Sequence, residues 1–213
     1  MRTQTAEVYE SLKSAIADGT YKPSESLTEL ELAAQFGVSR NTVKKALLML
    51  EKEHLVVIER NKSAKVRAFS VEDVLELLEI RELLEGFVAR KAIPVLSAEE
   101  IARMEELLAT MKSHIDNNEF FSYSKCNQLF HMVIYDACPS RTAVEMILSI
   151  KNQLAKYNTK TILIPGRNEQ SMSEHTAILN AAKQKDAELA DMLIRRHIAN
   201  VRNTFRENYK LLF

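Results

Sequence analysis

Tryptophan is absent from the 213 residues, and there are only four glycines, four prolines and two cysteines. Corners of a turn-rich β architecture need Gly and Pro. Their scarcity favours helices. Cys126 and Cys138 are too few and too far apart for a disulfide framework or a cysteine-based zinc knuckle, so reducing cytoplasm is the expected setting. No apolar run approaches the roughly 18 residues that span a bilayer. The opening MRTQTAEVYE lacks the apolar core of a secretion signal. Neither sign of charge is in excess, since 29 Lys and Arg balance 29 Asp and Glu. An apolar content of 46% then indicates a globular chain, long enough for two modest domains.

The neutral total conceals an asymmetry. Residues 40–67 hold eight cations against three acids, while the rest of the chain is slightly acidic. A local basic patch is the footprint of a phosphate-binding surface, although a solvated charged face has the same composition.

Helical spacing of Tyr9, Leu12 and Ile16 predicts a helix over 5–18. DGTYKPSES then breaks the chain. Thr28 with Glu31 has the pattern of a capping box opening a short helix. Gly37 supplies a turn and Ser39 an N-cap for the next helix. There Val43, Ala46, Leu47 and Leu50 form an inward stripe. Ser39, Arg40, Asn41, Thr42, Lys44 and Lys45 gather at its front, largely off that stripe. A short helix, a Gly turn and a helix with a basic front make a helix-turn-helix, whose second helix enters the major groove. Arg and Asn can read base edges there, and Lys and Thr can hold phosphates. LVVIERNKSAKVRAF follows as a small hairpin, a wing made positive by Arg60, Lys62, Lys65 and Arg67.

From Val71 the strands stop. Helices are expected at about 71–92, 97–116, 119–137, 141–160, 170–184 and 186–210, an all-α six-helix bundle. Ser97 and Glu100 make a further capping box. Three of these helices each turn a histidine toward an apolar stripe. His131 shares a face with Asn127, Phe130 and Ile134. His175 lies in line with Ile178 and Leu179, and His197 with Leu193 and Val201. One inward histidine is commonly a hydrogen-bonded core residue. Three, with Asn127 a turn before His131, fit an N/O ligand set for a divalent metal. His54 and His114 have less claim. Arg81 sits inside the stripe of Val74, Leu77, Leu84 and Val88. It can pair with Glu85 one turn on, or fork onto an effector carboxylate.

Residues 8–69 resemble the N-terminal domain of GntR-type bacterial transcription regulators, through LTELELAAQFGVSRNTVKKALLMLEKEHLV. Two positions depart from that pattern. Lys44 replaces the usual Arg, and the wing tip NKSAK has no Gly. Residues 71–213 resemble the FCD effector domain, through SVEDVLELLEIRELLEGFVARKAI, NQLFHMVIYDA and EHTAILNAAKQKDAELADMLIRRHI. The resemblance implies a metal, often zinc, held by an Asp and three His under a small carboxylate effector. Here Asn127 stands in place of the Asp, with His131, His175 and His197.

These readings give a mainly α chain, with a winged helix-turn-helix domain over 1–69 and an all-helical effector and dimerisation domain over 70–213. The expected function is a ligand-responsive, homodimeric regulator that is not an enzyme. It binds operator DNA and a small anion (an organic acid, sugar acid or amino acid), and repression relieved by the effector follows from the resemblance. No membrane partner is expected. Two alternatives stand beside it. One is a metal-dependent hydrolase or lyase with Glu174 as general base, fused to a DNA-binding domain. The other is a purely structural DNA-binding dimer.

Overall fold

The computed structural model of the chain describes residues 3–59, 62–155, 157 and 161–212. Arg60 of the expected wing lies outside the described residues, as does part of the last stretch of the expected 141–160 helix. The chain divides into two compact units. One is Met1–Ser70 with Lys151–Lys156, and the other is Val71–Ile150 with Tyr157–Phe213.

The first unit begins with α1 (Gln4–Ala17), α2 (Glu29–Phe36) and α3 (Arg40–Lys52). Each has a side-chain cap. Thr3, Thr28 and Ser39 accept from the backbone N–H of Ala6, Glu31 and Thr42. The Thr28 motif is half a capping box. Its hydroxyl donates to Glu31 Oε2 at 2.5 Å, and that carboxylate does not take the Thr28 backbone N–H. Gly37 ends α2 at φ 63°, a left-handed conformation that lets the chain turn sharply into α3. The expected hairpin is one part of a three-stranded antiparallel sheet, ordered β1 (Ser26–Leu27), β3 (Ala64–Val66), β2 (Val56–Val57). Sequence reasoning missed β1, which pairs Ser26 with Lys65 and Leu27 with Ala64. Leu12, Leu27, Val43, Leu47, Leu50 and Val66 meet in the core.

The second unit is built of α4 (Val71–Ala92), α5 (Ala98–Asp116), α6 (Phe120–Ala137), α7 (Arg141–Gln153), α8 (Arg167–Lys183) and α9 (Ala187–Leu212). Ser97 and Glu100 form the full reciprocal box that opens α5. α7 as described stops at Gln153, short of the expected 160. α8 starts three residues before the expected 170. Gly166 at φ 78° turns the chain straight into the helix there, and the polar RNEQ that follows carries no apolar period. Met104, Met111, Tyr123, Phe130, Ile134, Ile178, Ile194 and Ile198 fill the core. α4 and α9 pack closely at Gly86, where any Cβ would meet Asp191 Oδ1 and the Arg195 side chain.

Candidate functional site

The front of α3 presents Arg40, Asn41, Lys44 and Lys45 to solvent. Ser39 and Thr42 instead close the N-cap, with their hydroxyls 2.8 Å apart. The inward side of the same helix is apolar, and Val43, Ala46, Leu47 and Leu50 are all buried. Arg40 Nη2 lies 3.7 Å from Glu29 Oε2, a loose surface pair that water and a competing phosphate can displace. Lys65 points out of β3 between two buried neighbours. Lys62 is exposed and paired with Glu59.

In the second unit α6, α8 and α9 bring His131, His175 and His197 together. All three are buried, and one nitrogen from each lies within 4.8 Å of the others. His131 Nε2 and His175 Nε2 are 3.1 Å apart. The outward nitrogens face acceptors. His175 Nδ1 donates to the Ser171 carbonyl at 2.6 Å, and His197 Nδ1 to Glu174 Oε2 at 2.6 Å. His131 Nδ1 lies 3.6 Å from Glu85 Oε2. Acceptors behind the rings fix the tautomer and leave Nε2 lone pairs pointing inward, the arrangement that metal-binding imidazoles use. Burial drives His175 down to about 3 and lowers His197 as well, against the pull of Glu174, so these rings are neutral donors.

Asn127 Oδ1 is buried and has no hydrogen-bond partner among the described residues. A native interior rarely leaves such an acceptor unmatched. It stands one turn before His131 on α6, an oxygen of the kind that a cation takes. Three neutral imidazoles and an amide oxygen suit a borderline divalent ion such as zinc. His54 and His114 stand apart from this cluster. His54 is exposed, and His114 Nδ1 pairs with Glu119 Oε2 at 2.6 Å.

Glu174 is no free base. Its Oε1 accepts from Asn200 at 2.7 Å, and its Oε2 from Arg167 at 3.0 Å and from His197. Burial alone would raise its pKa, but His197, Arg167 and Asn200 together outweigh that and hold it below the usual carboxylate value. The general-base role considered for it therefore fails on geometry. Of the two roles open to Arg81, the one seen is the ion pair with Glu85, both side chains being buried. Burial alone would weaken the guanidinium's hold on its proton. Glu85 and Tyr135 more than reverse this, and Tyr135 is itself raised well above its ordinary value by burial and by Glu85.

Sequence reasoning missed Glu85 as the carboxylate behind His131, and missed Arg167, Ser171 and Tyr123. Tyr123 donates to Ser171 Oγ at 2.8 Å behind His175. The available signal was spacing, since Arg167, Ser171 and Glu174 lie on one side of a helix at i, i+4 and i+7.

Comparison with known proteins places both halves. The FCD domain matches residues 76–200, and the bacterial regulatory proteins of the gntR family match residues 4–66. The uncharacterized HTH-type transcriptional regulator YdhC of Bacillus subtilis (strain 168) is 28% identical over 192 residues, covering 90% of this chain and 86% of its own. The HTH-type transcriptional repressor RspR of Escherichia coli (strain K12) is 20% identical, over 94% of this chain and 88% of its own. Among solved structures, E. coli McbR/YncC superposes with a TM-score of 0.76 at 23% identity, covering 100% of this chain and 98% of that one. That last likeness is one of fold.

Proposed function

The chain belongs to the GntR family of bacterial regulatory proteins and carries the FCD domain, and from that premise we propose a homodimeric repressor whose FCD domain binds a small carboxylate effector through a divalent metal, zinc by its ligand set. The premise itself makes it a DNA-binding transcription regulator with an effector-binding domain, and not an enzyme. The observation that carries the metal reading is the convergence of His131, His175 and His197, with Asn127 Oδ1 one turn before His131 and unpartnered among the described residues. A divalent ion held there supplies positive charge and an open position for a carboxylate oxygen. The chain's own residues do the rest. Ser171, Glu174 and Glu85 orient the rings, and the apolar bundle around them excludes water.

The DNA-binding role falls to residues 1–69, with Arg40 and Asn41 reading bases and Lys44, Lys45, Lys62 and Lys65 holding phosphates. Ser39 and Thr42 set the start of the helix that carries them. Residues 70–213 take the effector and dimerise. α4 leaves Ile80 and Leu83 uncovered on one side, 42% and 54% exposed, which suits a face shared between two copies. Effector binding shifts the population between arrangements of the paired DNA-binding domains. No helix among the described residues is long and apolar enough to cross a membrane, and the regulator works in the cytoplasm. RspR's name as a repressor supports the sign of regulation.

Native mass spectrometry of the protein as purified tests this in one spectrum. The expected species is a dimer with one zinc per chain and a retained small acid. A metal-free monomer would overturn the reading.

A further inference from the structure

α4 has three sides. On the core side Val74, Leu78, Arg81, Glu85, Val88 and Ala92 are buried. A second side lies against α9, and there charge is answered by charge. Arg202 stands 3.7 Å from Glu79 and 3.2 Å from Glu82, and Arg90 stands 3.8 Å from Glu188 and from Asp191. The third side is open. Helical spacing sets Glu76, Ile80, Leu83, Leu84, Phe87 and Lys91 there in one stripe. Glu76, Ile80, Leu83 and Lys91 are exposed, and Leu84 and Phe87 are partly buried.

Two properties of this stripe identify what covers it. Its intervals are four, three, one, three and four residues, so it reads the same from either end. Its ends carry opposite charges about 22 Å apart along the helix. Neither Glu76 nor Lys91 has an ion-pair partner among the described residues, in contrast to the α9 side. Lys91 Nζ lies 5.9 Å from the centre of the Phe87 ring, at the edge of the apolar stretch. Such a stripe is complementary to its own reverse. Two copies of α4 related by a two-fold axis at Leu83 and Leu84 run antiparallel. Leu83 then meets the partner's Leu84, Ile80 meets the partner's Phe87, and Glu76 meets the partner's Lys91. Symmetry makes each contact twice. A crossing angle of about 20° keeps the helices together over that length. A parallel pairing would set acid on acid and cation on cation, which repels.

We propose that the dimer forms by antiparallel packing of α4 on α4 of a second copy, centred on Leu83 and Leu84 and held in register by reciprocal Glu76–Lys91 ion pairs. This rests on the homodimer reading above and adds the direction and the register.

The test uses full-length protein with charge reversals at two exposed positions, Glu76→Lys and Lys91→Glu. Either one alone sets like charges together at both ends of the interface. Sedimentation equilibrium at low salt should show each dimer weakened at least about tenfold, since two surface pairs are lost and repulsion replaces them. The double variant should dimerise like the wild type. In an equimolar mixture of the two single variants, a stripe with two cations can face a stripe with two acids. Native mass spectrometry with one variant isotopically labelled should then find the mixed dimer well above its random proportion. Random mixing, or dimers that neither reversal weakens, would overturn the antiparallel register and leave the dimer reading intact. Leu83→Asp should yield a folded monomer, and a dimer as tight as the wild type would overturn the assignment to α4. A wild type that stays monomeric would sink both readings.

Discussion

His131 Nε2 faces His175 Nε2 at 3.1 Å. Because His175 Nδ1 gives its proton to the Ser171 carbonyl, its Nε2 carries a lone pair. His131 must then donate to it, or both rings must aim at one cation. Zinc added to the metal-stripped protein should therefore raise its melting temperature. At a free concentration of 100 times Kd the gain is about 2.7 kcal/mol. His175→Ala should lose that response while keeping metal-free operator binding. Scanning calorimetry with and without zinc checks it, and a zinc-independent melt would count against the site.

Asn127 makes the proposed metal site poorer in negative charge than one with Asp. Zinc held by neutral ligands keeps its full charge, so an anionic effector is drawn more strongly. Metal and effector should then each raise the other's affinity. Asn127→Asp should tighten zinc binding in the absence of effector and shrink that coupling. Zinc titrations with and without succinate on both proteins measure it. Equal coupling in the two would refute the charge argument.

Stability without metal should fall on acidification. His175 and His197 titrate near 6.5 in the unfolded chain, whereas burial holds His175 at about 3 in the folded one and lowers His197. Between those values the unfolded chain binds protons that the folded chain refuses. Stability is thus full above about pH 6.5 and declines as pH drops toward 3, with His175 contributing up to about 1.4 kcal/mol per pH unit. Glu174, held below its usual value, adds a loss of the same sign further down. Urea midpoints measured between about pH 7 and pH 5 should show the slope, and His175→Ala should flatten it.

Arg40→Ala should cost the operator complex about 1–3 kcal/mol and relax its sequence preference. Lys45→Ala should weaken binding to all sequences alike and lower the salt slope by about one. Gel-shift titrations over a range of salt on operator and scrambled DNA separate the two. Footprints should cover a pseudo-palindrome, since a two-fold dimer reads related half-sites. An unchanged affinity in Arg40→Ala would mean that α3 does not read the groove.

Much of this was written in local pattern. Ser39 and the Ser97–Glu100 pair announce helix starts through hydrogen bonds that close within a few residues. The three histidines could be picked from their stripes because helical periodicity fixes which way a side chain faces. What escaped depends on distant partners. β1 is two residues inside a turn-rich segment, and only its pairing with β3 makes it a strand. Glu85 and Arg167 have the composition of solvated surface residues. Each is buried with an oppositely charged partner on its own helix, Arg81 for Glu85 and Glu174 for Arg167, and what helical spacing leaves out is which neighbouring helices close over the pair. The start of α8 went unannounced because Gly166, which precedes it in a left-handed turn, has no side chain to cap it.

Gly86 is the residue next to Glu85, at the place where α4 meets α9. α4 brings Arg81 and Glu85, and α9 brings His197 and Asn200. Glu85 and His197 therefore ride on two rods whose close approach a bare α-carbon permits. A methyl group at this one position would act as a wedge. It would run into Asp191 Oδ1 and Arg195 Nε and press on the ion pair between them. The histidine cluster thus leans on a residue that is no part of it.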